Sequence, residues 1–213
     1  MKKFFYSLDK EILEFIVFDG VYYPREDSVF FADSLKDFLK KQDAKKIKNI
    51  LEIGCGCGFL SIVIYKIFEK ILSEKELSKV RIFSTDIDKK AIKNTKENAN
   101  FYKIKLITIH SDLFEKIKEK FDLIIFNSPY IPVKNERYEE SSWSLFQDGK
   151  NIINEFLIRA KNHIKKNSTI LLLTSSLTPF NKKLIKNYRM KSKIIYRKKI
   201  DWEELIIYKI KPK

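Results

Sequence analysis

Glycine, cysteine, histidine and long apolar runs are all scarce in this sequence. Its 213 residues include 5 Gly, 2 Cys and 2 His. Two cysteines cannot form the disulfide framework of a small secreted protein, and two histidines leave little material for a metal centre or a Ser-His or Cys-His pair. No apolar run approaches the ~18 residues that a membrane span needs. The acids Asp9 and Glu14 interrupt any secretory segment, so we expect a cytoplasmic protein without membrane contact.

The sequence nevertheless has ample material for a hydrophobic core. It is 44% hydrophobic and 14% aromatic, which excludes a disordered chain and a collagen-like repeat. The length predicts a single domain over residues 1–213, with residues 1–41 as an N-terminal extension and helix packed on the core.

The charge is strongly positive and allows two interpretations. Lys and Arg number 43 against 28 Asp and Glu, giving a net charge of +15, and only 6 of the basic residues are Arg. Lysines dispersed along the whole chain suit a solvated surface, because nucleic-acid binders more often concentrate Arg in a stripe. The same excess favours attraction to an RNA-bearing or acidic partner. Both interpretations remain open.

Strand and helix patterns alternate along the chain. Apolar runs predict strands over 47–53, 80–85, 106–109, 121–126, 169–174, 192–197 and 204–209. Helical periodicity predicts helices over 27–41, 59–72, 88–100, 149–165 and 178–188, the third capped by Asp88 and the last opened by Thr178 and Pro179. This alternation predicts an α/β fold with a mostly parallel sheet of seven strands and a C-terminal β-hairpin.

Three of the five glycines fall in one short turn, at Gly54, Gly56 and Gly58. The turn follows a predicted strand and opens a predicted helix, a place where glycine permits positive φ and lets a ligand approach the backbone. The alternative is a tight turn that binds nothing. The dinucleotide spacing G-x-G-x-x-G fails because Phe59 lies three residues after Gly56, and no G-K-[ST] follows. Cys55 and Cys57 are more plausible as small turn residues than as metal ligands.

Two acids follow the next two strands. Asp86, at the end of the second strand, can accept both hydroxyls of a ribose, or it can simply begin the turn that Asp88 caps. Asp112, after the third strand, can accept an adenine amino group, although Ser-Asp is also a common turn pair.

The tetrapeptide Asn127-Ser128-Pro129-Tyr130 follows the fourth strand, where a polar Asn is costly unless its hydrogen bonds are made. An Asn side-chain carbonyl and a neighbouring backbone carbonyl can together accept both hydrogens of a planar NH2 group. Pro129 stiffens the backbone, and Tyr130 offers a flat face to an amide or a base. A plain strand-ending turn is the alternative for the tetrapeptide taken alone.

These residues come from separate stretches but share one position in the fold. Glu52, Asp86, Asp112 and Asn127 lie at or just past the ends of four predicted strands. Ligands of parallel α/β sheets bind at the carboxyl ends of the strands, so we expect the four stretches to form one site.

Taken together, the motifs resemble those of class I S-adenosylmethionine (SAM)-dependent methyltransferases. Residues 52–58 resemble the family's first motif, Asp86 its ribose-binding acid, and residues 127–130 the Asn-Pro-Pro-Tyr motif of amino-group methylases. Residues 21–28 (VYYPREDS) resemble the N-terminal segment of HemK-like release-factor glutamine methyltransferases of the archaeal and eukaryotic type. The similarity extends to Trp143, Asp148-Gly149 and residues 202–205.

The resemblance implies a Rossmann-like methyltransferase fold with helices on both faces of the sheet, and SAM as cofactor. By resemblance the cofactor would be bound by Ser28, Glu52, Gly54, Cys55, Gly56, Gly58, Asp86, Ile87, Asp112, Leu113 and Asn127. Asn127, Ser128, Pro129 and Tyr130 would be catalytic, and Asn127, Pro129, Tyr130 and Ile131 would bind substrate. No metal site is implied.

The family methylates the glutamine of the Gly-Gly-Gln loop in class-1 translation release factors, often with a small zinc-binding partner protein. The resemblance therefore implies a release factor as substrate, such a partner as activator, and no requirement for nucleic acid. Two rival functions stay open: an adenine-N6 or guanine-N2 methyltransferase acting on RNA or DNA, and a non-catalytic SAM-binding assembly protein. Ser128 stands where the motif has its first proline, and we expect some loss of loop rigidity there.

Overall fold

The computed structural model describes residues 1–130, 146–147, 150–178, 180–201 and 203–213. The chain forms two compact units, Met1–Lys116 and Ile117–Lys213.

The first unit begins with a β-hairpin of two antiparallel strands, β1 (Lys2–Leu8) and β2 (Glu11–Val17). Asp9 turns the chain between them in the left-handed region, with φ 57°. One face of the hairpin is buried and carries Phe4, Tyr6, Leu8, Leu13, Phe15 and Val17. The sequence had indicated only an extension here, so this hairpin is an addition to the prediction.

The rest of the first unit alternates helices and strands. Helix α1 (Glu26–Lys40) and a short 3-10 turn precede β3 (Asn49–Ile53), α2 (Phe59–Ile71), the one-turn α3 (Glu74–Leu77), β4 (Arg81–Asp86), α4 (Lys89–Phe101) and β5 (Ile107–His110). Strands β3, β4 and β5 are parallel neighbours in that order. Each of these strands and of the helices predicted for this unit begins and ends within two residues of its predicted range.

The second unit also combines strands and helices. It contains β6 (Phe121–Asn127), the two-residue strands β7 (Phe146–Gln147) and β8 (Lys150–Asn151), α5 (Ile152–Ala160), β9 (Ile164–Ser175), α6 (Lys182–Asn187), β10 (Met190–Ile200) and β11 (Glu203–Pro212). Strand β6 runs parallel to β9, and β11 lies antiparallel between β9 and β10. The chain has a mostly parallel seven-stranded sheet with the strand order β10-β11-β9-β6-β3-β4-β5, so the predicted fold class is confirmed.

Helix boundaries in the second unit differ from the prediction where asparagine caps. The Asn151 side chain accepts from the N–H groups of Ile153 and Asn154, both at 3.1 Å, so α5 begins at Ile152 and not near residue 149. The prediction that Thr178 opens the next helix is wrong. Asn181 caps α6 instead, by accepting from the Lys183 N–H at 3.0 Å.

In the part of the chain that the structure describes, no helix has both the length and the apolar character of a membrane span.

Candidate functional site

The glycine turn between β3 and α2 depends on left-handed backbone at three positions. Gly54, Gly56 and Gly58 have φ of 68°, 54° and 83°. Gly58 also has no room for a side chain, because a Cβ there would lie 2.9 Å from Cγ2 of Thr95. All three positions therefore have a backbone conformation that favours glycine, as predicted, and Gly58 is also required by close packing.

Helix α4 and strand β4 hold this turn from one side. The Cys55 N–H donates to the Thr85 carbonyl at 2.9 Å. The Thr95 hydroxyl lies 3.0 Å from the Gly56 carbonyl and 3.2 Å from Cys55 Sγ. Asn98 Nδ2 donates to the Cys57 carbonyl at 2.8 Å. These contacts fix the Cys55 N–H group and the Gly56 and Cys57 carbonyls of the turn.

Asp86 is the last residue of β4, and both of its carboxylate oxygens accept hydrogen bonds. Oδ2 accepts from the Gly56 N–H and Oδ1 from the Asp88 N–H, each at 2.9 Å. Burial raises the pKa of Asp86, while the surrounding N–H groups oppose that shift by stabilising the charged form. A carboxylate can accept about four hydrogen bonds, so Asp86 can still accept from a ligand hydroxyl besides these backbone N–H groups.

Glu52 lies in β3 and is 2% exposed. Its Oε2 accepts from the Ser61 N–H at 2.9 Å and from the Ser61 hydroxyl, which also contacts the Ser84 hydroxyl at 2.7 Å. Burial raises the pKa of Glu52 to about 8, an effect that the Ser61 bonds reduce and the nearby Asp86 charge increases. Glu52 is therefore a buried carboxyl group that a cation close by would ionise.

The two cysteines lie in the turn, as predicted, and both are buried. Burial raises the pKa of the Cys57 thiol to about 12 and that of Cys55 well above its usual range, so both are protonated at neutral pH. A thiol in that state is neither a good nucleophile nor a metal ligand. Among the described residues, no group of three or more His, Cys, Asp or Glu side chains is arranged to hold a metal ion.

The ends of β4 and β5 bring further predicted cofactor residues together. The Ser111 N–H donates to the Asp86 carbonyl at 2.9 Å, which places residues 111–113 beside the end of β4. Asp112 begins a tight turn, in which its backbone carbonyl accepts from the Glu115 N–H at 2.9 Å. Leu113 has a left-handed φ of 46°. Ile87 is 51% exposed, a large apolar side chain open to a flat ligand.

Ser28 belongs to α1 and is buried, with its hydroxyl 3.4 Å from Asp27 Oδ1. Its role as a cofactor residue stays a prediction from the resemblance.

In the second unit, the tetrapeptide begins with the last residue of β6. Asn127 is the last residue of that strand and Ser128 is 2% exposed. The Ser128 hydroxyl donates to the Leu173 carbonyl of β9 at 2.6 Å, and the Thr178 hydroxyl lies 3.3 Å from the Tyr130 carbonyl. The serine thus anchors the turn to the neighbouring strand, a constraint that the sequence did not reveal. Ile131, Trp143, Asp148-Gly149 and Trp202 lie outside the described residues.

Four residues of the first unit that bond to Glu52, to the glycine turn or to one another were missed by the sequence analysis: Ser61, Ser84, Thr95 and Asn98. All are buried. Thr95 and Asn98 occupy the inward stripe of α4 next to Ala91, Ile92 and Ala99, where an apolar residue is the norm. A polar residue at such a position is the sequence signal that was available.

Comparisons with known proteins identify the family of this chain. Residues 30–200 match the methyltransferase small domain family. The chain belongs to this family. A Methanocaldococcus jannaschii relative, named as a protein N5-glutamine methyltransferase, is 34% identical over 193 residues, which cover 88% of this chain and 89% of the relative.

Two solved structures share the fold of this methyltransferase. The E. cuniculi Mtq2–Trm112 complex, described as responsible for methylating the eRF1 translation termination factor, matches with a TM-score of 0.62 at 18% identity, over 91% of this chain and 99% of that chain. The T. thermophilus 16S rRNA N2 G1207 methyltransferase, solved with AdoMet and guanosine, matches with a TM-score of 0.69 at 14% identity, over 97% and 49%. At such low identities the likeness concerns the fold alone.

Proposed function

We propose that this methyltransferase uses SAM to methylate the side-chain amide nitrogen of the glutamine in the Gly-Gly-Gln loop of a class-1 translation release factor. The observation that carries the proposal is the anchored turn of Asn127 and Ser128 at the end of a buried strand, in a chain with a named glutamine methyltransferase relative. A turn fixed in this way suits a planar NH2 group, whose two hydrogens need two carbonyl acceptors in one plane.

The first unit fits SAM in shape and in charge. A Cβ at Gly56 would meet no atom within 4 Å, so glycine there keeps open space beside the backbone of the turn. Asp86 can still accept from a ribose hydroxyl, and the exposed Ile87 next to it suits an adenine face. Glu52 is buried, and because burial raises its pKa to about 8 it is mostly uncharged at neutral pH. It would ionise beside the ammonium group of the methionine part of SAM. Asp112, Leu113, Ser28 and Asn127 complete the proposed set.

The chain's contribution to the reaction is orientation. When bound, SAM supplies an electrophilic methyl group. Asn127 Oδ1 and the Ser128 carbonyl accept the two amide hydrogens and so direct the nitrogen lone pair, while Pro129 and Tyr130 limit the movement of the acceptor. Positioning of this kind can contribute ~7–11 kcal/mol in favourable systems. No residue of the chain is needed as a general base, because the nitrogen can release its proton to water after transfer.

Residues 1–213 would act as one cytoplasmic methyltransferase domain, with residues 1–41 as its N-terminal extension. We also propose a small zinc-binding partner protein, as the family resemblance implies. Strand β5 ends the strand order on one side of the sheet and its four residues are half-buried, so its outer edge can pair with a strand of that partner.

A second candidate function is methylation of an exocyclic amine in RNA or DNA. The net charge of +15 favours it. Two lysine pairs also lie directly opposite one another in the C-terminal hairpin, Lys191 with Lys211 and Lys193 with Lys209, and an anionic partner would relieve their repulsion. A non-catalytic role is less well supported, because Ser128 anchors the tetrapeptide instead of loosening it.

Methyl transfer from radiolabelled SAM distinguishes these functions. The acceptors are a class-1 release factor, the same factor with the loop Gln→Ala change, and total RNA. We expect label only on the first. Label that survives the Gln→Ala change rejects the proposed acceptor, label on RNA supports the second function, and no label on any acceptor despite SAM binding supports the non-catalytic role. Asn127→Ala, which removes the proposed acceptor of an amide hydrogen, is the control for transfer at the proposed site.

A further inference from the structure

Helix α4 binds the outer edge of strand β2 through a row of side chains. The Tyr102 hydroxyl accepts from the Glu14 N–H at 2.6 Å and lies 2.8 Å from the Glu14 carbonyl. Asn98 accepts from the Ile16 N–H at 2.9 Å, and Asn94 accepts from the Phe18 N–H at 2.8 Å. Four residues of helix advance about 6 Å and two of strand about 6.6 Å, which is why the two spacings match.

Within this row, Asn98 alone among the three also bonds to the glycine turn. Its Nδ2 donates one hydrogen to the Ile16 carbonyl and one to the Cys57 carbonyl, both at 2.8 Å. Since its Oδ1 accepts from the Ile16 N–H, the amide uses both donor hydrogens and an acceptor in this environment, where it is 2% exposed. Asn94 is equally buried and donates to the same Ile16 carbonyl, but its described hydrogen bonds lead only to the backbone of Ile16 and Phe18.

The hairpin supports the same region by packing. The ring of Phe59, which directly follows Gly58, makes edge-on contacts with Phe4, Tyr6 and Phe15 at centroid distances of 5.0, 5.1 and 5.2 Å. Rings at such distances and angles attract one another beyond their burial. The N-terminal hairpin therefore reaches the glycine turn twice, through Phe59 after the turn and through Asn98 at Cys57.

We propose that Asn98 is a positioning residue for cofactor binding, which holds the glycine turn in its binding conformation through the Cys57 carbonyl and uses the hairpin backbone as a fixed support. The inference rests on the proposed function in so far as the ligand of the turn is SAM. Three glycines in five residues give the turn many alternative conformations, so its binding geometry has to be imposed by its neighbours. Asn98 does so at the carbonyl between Gly56 and Gly58.

The test compares Asn98→Ala with Asn94→Ala in the full chain. Both changes remove from α4 an asparagine whose side chain bonds to Ile16 of strand β2, so both should lower the Tm. We expect Asn98→Ala alone to raise the SAM dissociation constant, by at least about fivefold, as loss of a buried hydrogen bond would do. The KM for SAM should rise with it, while kcat at saturating SAM stays within about threefold. Equal dissociation constants for the two variants would overturn the proposal.

A second readout needs no cofactor and separates this inference from the proposed function. Amide hydrogen exchange at Cys55, Gly56 and Gly58, whose N–H groups are all bonded within the turn region, should lose protection in Asn98→Ala and keep it in Asn94→Ala. Unchanged protection contradicts the positioning role even if wild-type protein binds no SAM. Should Asn98→Ala fail to fold, the pair Asn98→Asp and Asn94→Asp, which keeps side-chain volume, gives the same comparison.

Discussion

The backbone N–H of Gly56 donates to Oδ2 of Asp86 at 2.9 Å, so the carboxylate that ends β4 also fixes the turn that follows β3. The other oxygen of Asp86 fixes the start of α4 through the Asp88 N–H. One side chain thus sets the relative position of the turn and of the proposed ribose site.

Asp86→Asn should weaken SAM binding by at least about tenfold, because it removes a charge-assisted acceptor worth about 1.5–3 kcal/mol. Calorimetric titration measures this. Asp88→Asn is the matched control, since Asp88 caps α4 through the Lys90 N–H and Asn caps equally well. Its dissociation constant should stay within about twofold of wild type. Equal effects of the two changes would contradict the ribose role.

Glu52→Gln should change how stability depends on pH. The native state keeps the Glu52 proton up to a pKa of about 8, whereas the unfolded chain releases it near the ordinary value of 4.5. The native state then binds more protons between these values, so the free energy of unfolding falls as pH rises through that window. Gln does not titrate, so the variant lacks this fall in the free energy of unfolding. Urea unfolding from pH 5 to 9 should show the variant gaining on wild type with rising pH, by more than about 2 kcal/mol at pH 9.

Gly58→Ala should destabilise the protein more than Gly20→Ala does. Both glycines have left-handed φ, 83° and 86°. A Cβ at Gly58 would meet Thr95 Cγ2 at 2.9 Å, whereas at Gly20 the nearest atom is the mobile end of Lys90 at 3.5 Å. Strain from φ costs about 1–2 kcal/mol at either position, so the difference isolates the clash. Chemical denaturation should give Gly58→Ala at least about 1 kcal/mol of additional loss, and equal losses would contradict the packing argument.

Ser128→Ala should lower kcat severalfold with little effect on SAM affinity, because it frees the tetrapeptide from the Leu173 carbonyl. Ser128→Pro restores stiffness by a different route, since proline fixes φ, and should retain more activity than Ser128→Ala. Steady-state kinetics with the release factor provides the measurement. If Ala and wild type turn over equally fast, the anchor has no part in positioning the acceptor.

Lys193→Glu should stabilise the C-terminal hairpin by about 0.2–1 kcal/mol, since it replaces a directly opposed Lys–Lys pair with an attractive one. The Lys193 and Lys211 charges already lower the pKa of Lys209, in addition to the larger effect of burial. Lys198→Glu makes the same charge change opposite the uncharged Leu205 and should have a smaller effect. Thermal unfolding at low salt measures both, and high salt should reduce the difference.

The site's main-chain frame was largely predictable because its residues carry local signals. Gly54, Gly56 and Gly58 are needed for backbone conformation, and Asp88 caps α4 as its position before a helical stretch indicates. The end of β4 follows from an apolar run that stops at Asp86. Each of these inferences needed only a few neighbouring residues.

The missed features depend on contacts between distant residues. The N-terminal hairpin alternates buried and exposed positions, but exposed apolar residues such as Phe5 and Ile12, 55% and 71% exposed, hide that alternation in the sequence. Asn98 bonds to Ile16, 82 residues earlier, and no local pattern indicates such a partner. Thr178 and Asn181 are both good caps, and which one opens the helix was decided by contacts outside the segment.

The side-chain row of α4 has a consequence for association. An outer strand of a small sheet normally presents free N–H and C=O groups to which another chain can add. On β2, the outward N–H groups at residues 14 and 16, and the one at residue 18 just beyond the strand, already bond to Tyr102, Asn98 and Asn94. The helix therefore protects this edge from pairing with a second chain, which is useful for a lysine-rich protein whose hairpin also carries exposed apolar side chains.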